Sequence, residues 1–102
     1  MSNWIEVGKL EDIPRLGSRV VKMGDIEIAI FRTDKDETFA VANKCPHKGG
    51  PLADGIVHGN SVTCPLHNWT IDLESGEAKA PDKGCARGFE VKVESGVIFL
   101  QQ

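Results

Sequence analysis

Two short segments of this chain pair a thiol with an imidazole. One is Cys45-Pro46-His47, followed by Lys48-Gly49-Gly50-Pro51-Leu52; the other is Cys64-Pro65-Leu66-His67, followed by Asn68-Trp69. Sixteen residues separate His47 from Cys64, so the pattern is C-x-H, a gap, then C-x-x-H. Thiolate and imidazole are the ligand types that suit iron–sulfur clusters and zinc. A tetrahedral zinc site with two Cys and two His is therefore one reading. Zinc sites, however, usually group their thiolates as C-x-x-C and their imidazoles as H-x3–5-H. Here each half carries one of each, which suits a centre with both thiolates on one iron and both imidazoles on the other. Ligand chemistry alone favours iron–sulfur and leaves zinc open.

Something must bring the two halves together. The gap holds Ile56-Val57, a Gly59-Asn60 turn and Val62, which reads as a hairpin joining the two segments. On either side of the Cys/His region, apolar alternation dominates. Val20-Val21-Lys22-Met23, Gly24-Asp25 and Ile26–Arg32 read as a hairpin, and Thr38–Ala42 as a strand after the polar turn Thr33–Asp36. Phe89–Glu94 alternates strictly, Ser95-Gly96 turns the chain, and Val97–Leu100 returns. The one weak helical candidate is Leu10–Ile13, which Pro14 would end. A meander of short strands predicts an all-β sandwich or partly open barrel. The stretch Asn43–Cys85 differs: it holds all three Cys, all three His and four of the five Pro. It lacks the apolar content to order itself, and a metal centre would do so.

Composition narrows the rest. A chain of 102 residues reads as one domain, here 1–102 with a cluster-binding subdomain at about 43–85. The net charge of −3 argues against nucleic acid or an anionic membrane as partner. No signal peptide and no apolar span is visible, so the expected location is the cytoplasm. Three cysteines in such a compartment do not suggest a disulfide framework. His58 reads as an exposed turn residue, Cys85 as a packed and unligated thiol, and Trp69 as a packing residue beneath the second loop.

The two Cys/His segments resemble the cluster-binding loops of the Rieske proteins, and the likeness extends to Gly49, Leu52, Gly55, Gly59, Leu73 and Gly76. The resemblance implies one 2Fe–2S cluster, with Cys45 and Cys64 on the buried iron and His47 and His67 on the outer one. It implies a base of antiparallel strands with two loops at its tip, and a third, proline-containing loop that Ala80-Pro81-Asp82 would supply. High-potential members resemble C-T-H-L-G-C and C-P-C-H-G-S, with an extra disulfide; Gly50 and Leu66 stand in place of those cysteines. Asn68-Trp69 replaces the serine that donates to sulfur, and the chain has no Tyr. Fewer donors to sulfur leave the reduced cluster less stabilised, which predicts a potential near about −150 mV.

The chain has one further histidine, His58, so it cannot form the two-histidine, one-carboxylate iron site of a ring-hydroxylating oxygenase. It reads as an electron carrier without a complete active site. Asn43 to Leu52, Gly55-Ile56-Val57, Cys64 to Trp69 and Pro81-Asp82-Lys83-Gly84-Cys85 resemble the small subunit of assimilatory NAD(P)H nitrite reductase. That resemblance implies a large partner subunit with FAD, a 4Fe–4S cluster and sirohaem, which reduces nitrite to ammonia. The alternatives are a Rieske ferredoxin serving an aromatic-ring-hydroxylating dioxygenase, or, in another class, a zinc-stabilised interaction module.

Overall fold

The computed structural model describes residues 4–44, 51–65, 69–79 and 84–101. Their strands form three antiparallel sheets. The base contains β1 (Trp4–Lys9), β9 (Val91–Glu94) and β10 (Val97–Gln101), in the order β1-β10-β9. The middle sheet contains β2 (Ser18–Met23), β3 (Ile26–Arg32), β4 (Thr38–Ala42) and β8 (Gly88–Phe89), in that order. The third contains β5 (Ile56–His58), β6 (Ser61–Thr63) and β7 (Thr70–Asp72), each paired with the next. The all-β expectation holds.

The sequence of β3, Ile26-Glu27-Ile28-Ala29-Ile30-Phe31-Arg32, explains why the sheets stack on both of its sides. Successive side chains of a strand point to opposite faces. Ile28 and Ile30 pack with Ile13, Ala40, Ile98 and Leu100 against the base, and all six are buried. Ala29 and Phe31 enter a second cluster with Val41, Leu52, Val57, Val62, Cys64, Ile71, Leu73 and Ala86. A strand apolar on both faces belongs in the middle of the stack.

Two sequence expectations need correction. Phe89–Glu94 is not one strand: Phe89 pairs with Ala40 of the middle sheet, whereas Val91 pairs with Leu100 of the base. The chain changes sheets at Glu90, whose carbonyl accepts from the Gln101 N–H at 3.0 Å. Side-chain alternation passes through that point unbroken, so it gave no warning of the change in hydrogen-bond partner. The Leu10–Ile13 segment forms only a 3-10 turn, Leu10–Asp12. The Arg32 guanidinium holds it by donating to the carbonyls of Ile13 (2.7 Å) and Leu10 (3.3 Å).

Asp36 ties that corner together, accepting from Arg15 at 3.0 Å and Arg32 at 2.8 Å. The hydrogen bond from Arg15, then that from Arg32, holds its carboxyl below the usual carboxylate range. A carboxylate with a lowered folded-state pKa stabilises above its unfolded value and loses that contribution as pH falls through the folded one. Asp36→Asn is therefore expected to be less stable than the parent at neutral pH, with the difference vanishing in acid. Denaturant titrations across a pH series check this; a difference independent of pH would contradict it.

Candidate metal centre

Both Cys/His segments leave from fixed points. After β4 the chain reaches Asn43, whose N–H donates to the Glu27 carbonyl at 2.9 Å, and then Lys44. It is described again from Pro51, which leads into a 3-10 turn, Leu52–Asp54, and then β5. The expected gap hairpin is β5 and β6, with Val57 opposite Val62. Its two-residue turn places Gly59 at φ +56°, where a glycine is at ease and a side chain is strained. Cys64 directly follows β6, and its N–H donates to the Trp69 carbonyl at 2.6 Å. Thr63 and Thr70 pair just before that bond. The pairing of β6 with β7 is thus closed between Cys64 and Trp69, the described flanks of the second segment.

Of the four expected ligands, Cys64 is described, and it is fully buried. Cys45, His47 and His67 lie outside the described residues, as do Lys48, Gly49, Gly50 and Ala80-Pro81-Asp82 of the expected third loop. What the structure brings together is their flanks. Leu52 after the first segment, Cys64 and Trp69 around the second, and Ala78 and Ala86 around the third all belong to one apolar cluster. Gly76 closes the third junction. Its N–H donates to Asp72, its carbonyl accepts from Ala86 at 2.6 Å, and a Cβ there would collide with the Ala86 carbonyl.

Trp69 packs half-buried against this cluster, as expected. His58 is exposed at the end of β5, with Nε2 2.7 Å from Thr63 Oγ1. Cys85, expected to be packed, is exposed. It pairs with Glu77 in an isolated antiparallel bridge beyond β7, and its neighbour Ala86 is buried. Beside the first segment lies a cleft lined by Lys22, Glu27, Asn43, Lys44, Pro51 and Arg87.

The residue missed at the sequence level is Asn43. Its buried side chain accepts from the Ala53 N–H at 2.8 Å and lies 3.4 Å from the Glu27 carboxylate. An Asn after an apolar strand reads as an ordinary turn residue. Only the fold shows that Ala53, ten positions on, returns to it.

The donor chemistry fits an iron–sulfur centre. Cys64 offers a soft ligand atom where water is excluded, and each Cys/His segment adds imidazole. The profile of the Rieske [2Fe-2S] domain matches residues 3–92, and the chain belongs to that family. Family membership implies one 2Fe–2S cluster and leaves the zinc reading without support. The chain is a Rieske electron-transfer domain.

The ferredoxin component of the naphthalene 1,2-dioxygenase/salicylate 5-hydroxylase systems of Ralstonia sp. is 32% identical, over 97% of this chain and 95% of that protein. The solved structure of the E. coli protein NirD is 27% identical with a TM-score of 0.86, covering 100% of this chain and 98% of the other. A chain provisionally described as an NADH-dependent nitrite reductase small subunit from Mycobacterium tuberculosis shares the fold with a TM-score of 0.89. It is 21% identical and covers 100% of this chain and 96% of its own. Several longer relatives match over only 15% to 26% of their own length. Among the described residues, no helix is long and apolar enough to cross a membrane.

Proposed function

We propose that this chain, 1–102 as a single domain, is the electron-transfer subunit of an assimilatory NAD(P)H-dependent nitrite reductase, and that Cys45, His47, Cys64 and His67 hold its cluster. The observation that carries the ligand assignment is the common seating of the three segments' flanks, with Cys64 buried among them. When bound, the cluster supplies reversible one-electron chemistry. The chain's own residues give it a rigid and largely dry seat. Cys64 is fixed through its N–H, Trp69 and Leu52 cover the apolar side, and Gly76 and Ala86 lock the third segment. Such a seat keeps ligand motion between redox states small.

The choice of partner rests on the loop sequences. Lys48-Gly49-Gly50-Pro51 after the first His and Asn68-Trp69 after the second resemble the nitrite reductase small subunit. The likeness to NirD along the whole chain supports the same reading. The partner is then a large subunit carrying sirohaem, a 4Fe–4S cluster and FAD, and the pair works in the cytoplasm. A second reading, the ferredoxin of an aromatic-ring dioxygenase, is favoured by the 32% identity with the Ralstonia component.

Two experiments test these statements. Cys64→Ser is expected to abolish the visible absorption of the cluster, whereas His58→Ala keeps it; a coloured Cys64→Ser protein with the parent spectrum would contradict the ligand assignment. For the partner, the tagged chain is isolated from cells grown on nitrite. It is expected to bring down a sirohaem protein with NAD(P)H-dependent nitrite reduction, and recovery of a Rieske oxygenase in its place would overturn the reading.

A further inference from the structure

We infer that Asn43, seconded by Ser18, is a positioning clasp for the first ligand segment, holding both of its ends to the middle sheet. The inference rests on the reading that Cys45 and His47 are cluster ligands. Asn43 stands two residues before Cys45, and its own N–H is bonded to Glu27 of β3. Its side-chain oxygen takes the N–H of Ala53, where the chain has returned from the segment. The Ala53 carbonyl accepts in turn from the Ser18 hydroxyl of β2 at 2.7 Å. Both backbone polar groups of Ala53 are thus held by side chains, the N–H by Asn43 just past β4 and the carbonyl by Ser18 of β2. The two described flanks of the segment, at Asn43 and Ala53, are thereby tied to each other.

The chemistry of this tie explains why asparagine stands there. One end of the side chain must accept from an N–H, while the other faces the Glu27 carboxylate at 3.4 Å. Aspartate would serve the first role and set two carboxylates against each other in the second. Alanine would leave the Ala53 N–H without its acceptor in a nearly dry site, since Asn43 is only 9% exposed. Flanks tied this way prepay the loop-closure entropy, so Cys45 and His47 start from a fixed base when the cluster is bound.

The test uses the purified holoprotein. Asn43→Ala is expected to lose its cluster to a chelator about tenfold faster than the parent, the effect of one buried hydrogen bond. Its reduced-state EPR lines should broaden as the ligand geometry disperses. Ser18→Ala is expected to shift both readouts in the same direction by less. Asn43→Asp alone should shift both readouts in the same direction as Asn43→Ala, through repulsion from Glu27, and adding Glu27→Gln should restore the parent's line width and cluster lifetime. Parent-like line width and chelation rate in Asn43→Ala would overturn the clasp, as would a lack of rescue in the double variant. Should Asn43→Ala fail to fold, amide hydrogen exchange in the parent decides: an Ala53 N–H that exchanges as fast as exposed loop amides overturns it. A parent without a Rieske EPR signal would refute the ligand reading instead, and Ala53 exchange would still test the clasp.

Discussion

Strand β3 is buried on both faces, and the remainder of the molecule is arranged around that fact. One face, through Ile28 and Ile30, fastens the base sheet. The other, through Ala29 and Phe31, supplies the floor on which Leu52, Val62, Cys64 and Ala86 rest. Each fully buried Ile or Phe of that strand contributes roughly 1.5–3 kcal/mol. That energy stabilises a small chain and also fixes the floor beside which the flanks of the Cys/His segments sit. The three-stranded sheet β5–β7 packs Val57, Val62 and Ile71 onto this floor.

Electron transfer asks little chemistry of the polypeptide and much mechanics. No side chain has to attack, protonate or bind a substrate, which accords with the absence of a second metal triad in the sequence. What matters is that ligands stay in place as charge comes and goes. The structure meets this with backbone closures next to each segment: Asn43 to Glu27, Cys64 to Trp69, and Ala86 to Gly76. Polar closures lie at the necks and apolar packing lies below. The Asp36 corner, with its two arginines, steadies the opposite end of the middle sheet.

Much of this was legible in the sequence. The hairpin between the Cys/His pairs followed from Ile56-Val57, Gly59-Asn60 and Val62, because turn chemistry and alternation are local signals. The Rieske character followed from ligand types and loop sequences. Less legible were features that depend on long-range pairing. β1 and β7 carry no strong alternation, and the Glu90 crossing hides within a perfect one. Cys85 is exposed and pairs with Glu77 in an isolated bridge, which no neighbouring residue announces. The role of Asn43 rests on its contact with Ala53, ten positions on, which no local pattern announces.

The central claim is a Rieske cluster with two thiolate and two imidazole ligands and few hydrogen bonds to sulfur. A potentiometric titration followed by EPR tests it most directly. The account predicts a reduced-state signal with an average g below the free-electron value, appearing at a midpoint near about −150 mV. A midpoint well into positive values, or a reduced protein with an all-thiolate signal, would contradict it.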